Sequence, residues 1–164
     1  MIFVTVGTHE QQFNRLIQKM DELIDSDIIK EEVFIQRGIK SVIPVNCPSI
    51  EMLGYQQMIE KVKNARIVIT HGGPGSIMMP LSFKKLPIVV PRQAKFGEHV
   101  DNHQINFTKR LELQKKIIAI YEIEMLKKNI EDYEIICRTK DISAISNNSV
   151  DLLIKNLDHY CISL

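Results

Sequence analysis

Cysteine is scarce in this sequence. Its 164 residues contain only three cysteines, Cys47, Cys137 and Cys161, and none of them forms a CxxC pair. Small secreted domains that depend on disulfides use an even, closely spaced cysteine framework. An odd number of widely separated cysteines argues against such a framework, so we expect reduced thiols and a cytoplasmic protein.

An excess of charge of either sign is also missing. Lys and Arg number 21 against 20 Asp and Glu, which gives a net charge of +1. Proteins that bind nucleic acid hold its phosphates with a basic surface, and a near-neutral chain has no overall basic field. We therefore expect no nucleic-acid partner. Hydrophobic residues make up 45% and charged residues 25% of the chain, the balance of an ordinary globular domain.

Long apolar runs are absent as well. The longest uncharged stretch, residues 67–83, is interrupted by three glycines, two prolines and a histidine. A membrane helix needs about 20 mostly apolar residues. The first six residues lack a basic segment and are typical of a strand rather than a signal peptide. We expect a chain without a membrane anchor of its own.

Short apolar runs alternate with helical patterns along the chain. The patterns predict strands at 2–6, 32–36, 67–70, 88–90 and 116–121, and helices over 13–24, 56–65, 76–85, 102–113, 123–132 and 150–160. Residues 39–54 fit neither pattern. Continuous apolar strands between amphipathic helices predict an α/β fold, a Rossmann-like parallel sheet with helices on both faces. Without a repeat or linker, residues 1–164 are predicted to form a single domain.

Histidines concentrate in the predicted loops at one edge of this sheet. Ligands of such sheets bind in the loops beyond the carboxyl ends of the strands. These loops span residues 7–10, 36–38, 71–76 and 92–104, and they contain every histidine except His159. This concentration predicts a polar site at the carboxyl edge.

The sharpest local feature is a glycine-rich turn between a buried strand and a helix. It consists of His71, Gly72, Gly73, Pro74, Gly75 and Ser76. Glycines let the backbone approach a ligand closely, and the amides of the following helix N-terminus favour an anion. Ser76 is predicted as the N-cap or as a hydroxyl donor to a phosphate. A diphosphate suits this turn, although a tight turn that binds nothing is the alternative.

A second polar segment starts the next helix. It contains Glu98, His99, Asp101, Asn102, His103 and Gln104, side chains that can bind sugar hydroxyls. His99 and His103 are spaced i, i+4 beside Asp101, a spacing that can also hold zinc. In a third interpretation Asp101 only caps the helix and the histidines are solvated. The three interpretations stay open at this point.

Smaller signals flank these two segments. Gly7 and Thr8 form a turn after the first strand, and His9 behind them is a candidate general base, because imidazoles exchange protons near neutral pH. Arg92 opens the loop that leads to the second polar segment and is a further candidate for donor binding. Arg37 either neutralises a phosphate or is an ordinary surface charge.

Three segments taken together resemble a known family. They are MIFVTVGTHEQQFNRLI at the N-terminus, VITHGGPGSI at 68–77 and LPIVVPRQAKFGEHVDNHQ at 86–104. They resemble the C-terminal, donor-binding domain of glycosyltransferase family 28, the group that includes MurG. The likeness is greatest to the separately encoded catalytic subunits of bacterial capsule and exopolysaccharide synthesis, the PssE/EpsF-type galactosyltransferases. It extends to the soluble subunit of the eukaryotic dolichol-linked N-acetylglucosaminyltransferase, and it covers residues 1–110 well and the rest loosely.

The resemblance implies one half of a GT-B enzyme, in which two Rossmann-like domains face each other across a cleft. It implies a membrane-anchored partner subunit that binds the acceptor, a polyprenyl-diphosphate-linked sugar. The donor would be a UDP-sugar, with UDP-galactose expected first. Transfer would invert the anomeric centre without a metal or other cofactor. The protein would be cytoplasmic and peripheral at the inner face of the plasma membrane, held there by its partner.

The resemblance also assigns roles to individual residues. It places the donor diphosphate on residues 71–76 and near Gly7 and Thr8, and the sugar hydroxyls near Asp101, His103 and Gln104. Met79 departs from the pattern, since many members carry a ribose-binding glutamate there. That departure favours the alternative of a non-catalytic sugar-nucleotide-binding or regulatory subunit. The pair of His99 and His103 leaves a metal-dependent hydrolase as a further alternative.

The end of the chain carries a possible partner contact. Val150, Leu153, Ile154 and Leu157 form an apolar stripe on the last predicted helix, and residues 160–164 extend it. The stripe either packs on the sheet of this domain or contributes to docking. For the tail at 160–164, docking onto the membrane partner is the hypothesis.

Overall fold

Six parallel strands form one sheet in this computed structural model, which describes residues 1–140. The strands are β1 (Ile2–Thr5), β2 (Val33–Gln36), β3 (Ser49–Ile50), β4 (Ile67–Thr70), β5 (Ile88–Val89) and β6 (Ile118–Ala119). They lie in the order β3-β2-β1-β4-β5-β6, and every neighbouring pair is parallel. The direction of winding reverses between β1 and β4, the point at which open α/β sheets bind ligands.

Helices connect the strands and cover both faces of the sheet. They are α1 (Asn14–Asp25), α2 (Tyr55–Asn64), α3 (Pro74–Ser82), α4 (His103–Leu113), α5 (Met125–Glu131) and α6 (Tyr133–Thr139), with a short 3₁₀ turn at Ala94–Phe96. In the described part of the chain, no helix is long and apolar enough to cross a membrane.

The two faces of the sheet are filled by alternate residues of the same strands. Ile2 and Val4 of β1 belong to an apolar cluster with residues of α1, α5 and α6. Phe3, between them in sequence, packs instead with Val62 of α2. Successive side chains of a strand point to opposite faces, so strands that are apolar throughout need cover on both sides. The α/β fold class with helices on both faces is therefore confirmed.

Most predicted elements match the structure, with two differences near the site. Helix α3 begins at Pro74 rather than at Ser76, and its N-cap is Gly73. The prediction of Ser76 as the N-cap was therefore wrong. Proline is favoured in the first helical position, because its fixed φ suits the helix and its missing N–H costs nothing there. Strand β3 lies in the ambiguous segment 39–54 and is only two residues long.

Several predictions fall outside the described residues. These are the helix at 150–160, the tail at 160–164, Cys161 and His159. The extent of the single domain to residue 164 thus stays a prediction. The other two cysteines, Cys47 and Cys137, are free thiols, and burial raises the pKa of Cys47 to about 11.

Candidate functional site

The turns that follow β1 and β4 meet at one imidazole ring. His71, directly after β4, lies between Gly7 of the first turn and Gly73 of the second. A Cβ at Gly7 would lie 2.6 Å from Nε2 of His71, and a Cβ at Gly73 would lie closer still to the same nitrogen. Gly7 also has a φ of +78°, which residues with a Cβ rarely adopt. The two glycines thus admit the ring that joins the turns.

His71 is held there as a neutral side chain. It is 8% exposed, and burial followed by the nearby charge of Arg92 lowers its pKa to about 3. Its backbone N–H donates to the Thr5 carbonyl at 3.2 Å, which fixes the residue at the sheet edge. Its buried Nδ1 has no hydrogen-bond partner among the described residues. An unpaired buried polar atom is costly, so this nitrogen is available for a ligand or a water molecule.

Gln36, at the end of β2, anchors the first turn. Its Oε1 accepts from the Thr5 hydroxyl at 2.6 Å and from the Gly7 N–H at 3.2 Å. Its Nε2 donates to the carbonyls of Gly7 at 3.0 Å and Glu51 at 2.7 Å. The sequence predicted Gln36 at the end of the second strand and the start of the loop that follows it, but not this anchoring role. An amide side chain at the end of an otherwise apolar buried strand was the available signal.

Arg92 holds the first turn in place through hydrogen bonds to backbone carbonyls. It is fully buried, and its Nη1 donates to the carbonyls of Gln11, Gln12 and Glu98 at 2.9–3.0 Å. Its Nη2 donates to the Val6 carbonyl at 2.9 Å. Burial lowers the pKa of Arg92 to about 10, so the guanidinium stays charged near neutral pH. These bonds point to positioning rather than to direct donor contact.

Glu98 is buried beside Arg92, whose Nη1 bonds to the backbone carbonyl of Glu98. Its carboxylate accepts from Arg15 Nε at 2.8 Å and Arg15 Nη2 at 3.0 Å, and from the Gln93 N–H at 3.0 Å. With 1% of the residue exposed, it ties α1 to the loop after β5. The predicted participation of Arg92 and Glu98 in donor binding stays a prediction, and these contacts would make it indirect.

Gln104 connects the glycine-rich turn to the loop after β5. Its Oε1 accepts from the Gly72 N–H at 3.0 Å and from the Arg92 N–H at 3.2 Å. A Cβ at Gly72 would lie 2.8 Å from that of Gln104, so glycine is needed for this approach. The carboxamide oxygen is thus engaged inside the protein, and contact with sugar hydroxyls stays a prediction.

A cavity of about 150 Å³ opens between these turns at the switch point of the sheet. Its polar wall consists of Thr5, Gly7, Thr8, Gln36, His71 and Ser76. Its apolar wall consists of Met52, Leu53 and Met58. Ser76 lies in the first turn of α3, where backbone N–H groups have no intrahelical acceptor. The cavity therefore combines hydrogen-bond donors, a helix N-terminus and an apolar wall.

Three histidines and an aspartate cluster beside this cavity. The His99 ring lies 4.5 Å from the ring of His9, which follows the cavity residue Thr8, and 4.5 Å from that of His103. Asp101 Oδ1 accepts from the His103 N–H at 2.9 Å and lies 2.5 Å from His103 Nδ1. Asp101 therefore bonds to the first residue of α4 from outside the helix, whose N-cap is Asn102. The capping interpretation named Asp101 as the cap and expected solvated histidines, whereas His99 is buried. Burial, then the neighbouring histidines, lowers the pKa of His99.

The remaining candidate site residues lie near the carboxyl edge of the sheet but do not line the cavity. Asn102 accepts from the Ala94 N–H at 3.1 Å, and it is the N-cap residue of α4. Arg37 pairs with Glu51 at 3.0 Å. Pro74 and Gly75 are exposed at the start of α3. Met79 packs against the apolar cluster around Phe3, so its side chain fills the layer between α3 and the sheet.

Comparison of the sequence with models of protein families identifies the family of this domain. The model of the glycosyltransferase family 28 C-terminal domain matches residues 1–135. The chain belongs to this family. The match covers β1 to α5 and the start of α6, so it contains both glycine turns, the cavity and the histidine cluster. No curated protein matches the chain in sequence.

Solved structures share the fold of this family 28 domain. The glycotransferase of kitacinnamycin superposes with a TM-score of 0.62 at 14% identity, over 94% of this chain and 42% of that chain. SnogD from Streptomyces nogalater superposes with a TM-score of 0.45 at 14% identity, over 94% of this chain and 41% of that one. The first likeness supports the Rossmann-like half of a GT-B fold. The chain spans less than half the length of either neighbour.

Proposed function

We propose that this family 28 domain is the catalytic, donor-binding subunit of an inverting UDP-sugar glycosyltransferase. The expected donor is UDP-galactose, and the expected acceptor is a polyprenyl-diphosphate-linked sugar in capsular or exopolysaccharide biosynthesis. A membrane-anchored subunit would bind that acceptor and hold this chain at the inner face of the plasma membrane. Family membership supports the reaction class, and the cavity at the switch point carries the assignment of a nucleotide donor.

The walls of the cavity suit the parts of a nucleoside diphosphate. The first turn of α3, at Gly75 and Ser76, offers N–H groups and the positive end of the helix dipole to the diphosphate. His71 adds a neutral ring with an unpaired nitrogen. Met52, Leu53 and Met58 offer an apolar surface on which a uracil ring can pack. No group in this set requires a metal ion.

The size of the cavity supports a two-subunit enzyme. Pockets that enclose a whole small-molecule ligand commonly measure about 300–1,000 Å³. At about 150 Å³, this cavity encloses only part of a UDP-sugar. The rest of the donor would lie in the cleft that an acceptor-binding domain closes, as expected for a chain that spans 42% of the glycotransferase of kitacinnamycin.

The proposed transfer is a single displacement. The acceptor hydroxyl oxygen attacks C1 of the sugar, the bond from C1 to the diphosphate oxygen breaks, and UDP leaves with the electron pair. The N–H groups of α3 stabilise the charge that develops on the leaving oxygen. His9 is the candidate base in this chain. Its Nδ1 accepts from the Gln11 N–H at 3.2 Å, so Nδ1 is the basic nitrogen of the neutral ring and would exchange this bond for the acceptor proton.

A non-catalytic sugar-nucleotide-binding subunit is the second candidate. The observation that favours it is Met79, which packs against apolar residues where many family members hold the ribose with a glutamate. Turnover separates the two candidates. The chain reconstituted with its membrane partner should transfer sugar to a lipid-linked acceptor, whereas a binding subunit should bind UDP without transfer.

Calorimetric titration with UDP in the presence of EDTA tests the donor site. We expect binding, and we expect His71→Ala and Gly75→Val each to weaken it by at least about 1 kcal/mol, the size of a lost ligand contact. A Cβ at Gly75 meets no described atom within 4 Å, so the valine should leave the fold intact and affect the ligand. Ser82→Val, at the other end of α3, is the matched control. Absence of UDP binding at millimolar nucleotide with the partner present would refute the proposal.

A further inference from the structure

A second cavity, larger than the one at the switch point, opens beside α1. Its volume is about 410 Å³, within the range of about 300–1,000 Å³ that is common for pockets that enclose a small molecule. It lies between one face of α1, the loop after β5 and the residues just before α5, and we call it the α1 cavity. Among the described residues, it shares none of its lining with the cavity at the switch point.

The charged side chains of the α1 cavity are paired with one another. Arg15 donates to the Glu98 carboxylate at 2.8 and 3.0 Å, and Lys19 pairs with Glu22 at 3.0 Å and with Glu124 at 2.7 Å. An anionic ligand would meet two paired cations and an excess carboxylate, and like charges repel. A cationic ligand would compete with Lys19 for the same carboxylates. The lining therefore favours a neutral ligand.

Amide side chains supply the uncommitted polar groups of the α1 cavity. Gln18 is exposed on α1, and its carboxamide has no hydrogen-bond partner within residues 1–140. Asn14 Oδ1 accepts from the Val42 N–H at 2.8 Å, whereas Asn14 Nδ2 has no partner in this part of the chain. Gln12 Nε2 donates to the Phe96 carbonyl at 3.3 Å and has a second N–H to offer. A carboxamide both donates and accepts, as the hydroxyl groups of a sugar require.

Phe96 and Ile123 add an apolar surface to these amides. Phe96 is 44% exposed, and the guanidinium of Arg15, which Glu98 holds in place, lies 4.9 Å from the centre of its ring. Ligand sites commonly combine an aromatic surface with a few polar groups that fix the orientation of the ligand. A pyranose ring matches this combination, because it has an apolar C–H face and a rim of hydroxyl groups.

We propose that the α1 cavity binds a neutral saccharide, the sugar part of the acceptor. The inference rests on the proposed function, and it leaves the anionic lipid diphosphate of that acceptor to the membrane-anchored subunit. The segments that line the cavity also carry the histidine cluster, since Gln12 lies just after His9 and Glu98 directly precedes His99. A saccharide held there would present a hydroxyl close to the turn that carries the candidate base.

The test is a titration of the isotope-labelled chain of 164 residues, followed by two-dimensional NMR. The probes are methyl β-galactoside, lactose and cellobiose, with inorganic phosphate as an anionic probe. We expect at least one sugar to shift the signals of Gln12, Gln18 and Phe96, and phosphate to leave them unchanged. The shifts should persist in saturating UDP, because the two cavities have separate linings.

Gln18→Ala should weaken sugar binding by about two- to tenfold, the effect of one lost hydrogen bond. Alanine is the strongest helix former, so the substitution should leave α1 intact. Gln114→Ala is the matched control, because Gln114 is an exposed glutamine after the end of α4 and lines neither cavity. This variant should bind the sugar as the wild type does.

Three results would overturn the inference. They are a chain whose signals none of the three sugars shifts at tens of millimolar, an affinity that Gln18→Ala leaves unchanged, and displacement of the sugar by UDP, which would place it at the switch point. The donor site is tested separately by UDP calorimetry. A chain that binds UDP but no sugar refutes only this inference, whereas one that binds a sugar in the α1 cavity but no UDP refutes only the donor site.

Discussion

Replacement of Gly73 by alanine tests whether His71 joins the two turns as the structure shows. The new Cβ would lie 3.0 Å from Cδ2 of His71 and closer still to Nε2. Carbon atoms in contact prefer about 3.5–4.0 Å, so one partner must move. The ring cannot retreat, because Gly7 lies against it, and a Cβ at Gly7 would lie 2.6 Å from its Nε2. The substitution therefore overpacks a buried site.

Overpacking of this kind costs about 1–3 kcal/mol of unfolding free energy. For a chain of this size each kcal/mol shifts the unfolding temperature by about 2–4 °C. Gly73→Ala should therefore lower Tm by about 2–12 °C. The assay is thermal unfolding followed by circular dichroism, with urea denaturation to give the free energy.

Gly75→Ala is the control for this experiment, two residues along the same turn. Its Cβ meets no described atom within 4 Å, and Gly75 lies within helix α3. Alanine is more stable than glycine in a helix by up to about 1 kcal/mol. Tm should therefore stay the same or rise slightly, although the side chain that both variants introduce is identical.

A double-mutant cycle with His71→Ala isolates the clash. If the imidazole is the obstacle, Gly73→Ala should cost far less once the ring is removed, with a coupling of about 1–3 kcal/mol. The reasoning is refuted if Gly73→Ala costs the same in both backgrounds, or if Gly75→Ala is equally destabilising.

Three further predictions follow from buried polar groups. Burial lowers the pKa of His71 from 6.5 to about 3, so the unfolded chain binds an extra proton between these values. Because of this residue, the free energy of unfolding should decrease as the pH is lowered below about 6.5, by up to about 1.4 kcal/mol per pH unit. Urea denaturation of His71→Gln at several pH values should lack that slope. Gln36→Met removes four hydrogen bonds around Thr5, Gly7 and Glu51, and should cost about 1–3 kcal/mol and weaken UDP binding; unchanged UDP affinity would contradict its anchoring role. Arg92→Lys should destabilise by at least about 2 kcal/mol, because one ammonium cannot reach all the carbonyls that the guanidinium spans; a wild-type urea midpoint would contradict this.

Local pattern was sufficient to predict the layers of the fold. The strand predicted at 67–70 agrees with β4 residue for residue. A run of β-branched residues between a helix and a glycine-rich turn favours a strand over other secondary structure. The glycine-rich turn and the four histidines of the carboxyl edge were also predicted in their correct places. These features depend on periodicity and on the order of elements along the chain, which one sequence displays directly.

The role of the polar residues in the fold was not predictable in the same way. Gln36 bonds to Gly7 at a separation of 29 residues, and Arg92 bonds to Val6 at a separation of 86. The sequence predicted Gln36 as the end of a strand and Arg92 as a candidate for donor binding, and local pattern named no backbone partner for either residue. The loop between β2 and α2 was ambiguous for a related reason, since β3 is a strand of two residues held by pairing to β2.

The sequence by itself determined an α/β sheet, its glycine turns and an edge rich in histidine, since burial periodicity and turn chemistry are local properties. Only the tertiary structure decided which polar side chains face the cavity and which hold its walls. It showed that Arg92 and Gln104 bond to the backbone of the loops around the cavity, and that His71 is a neutral ring between Gly7 and Gly73. Hydrogen bonding and burial depend on atoms that are distant in sequence, so the roles of these residues became clear only when the chain was folded.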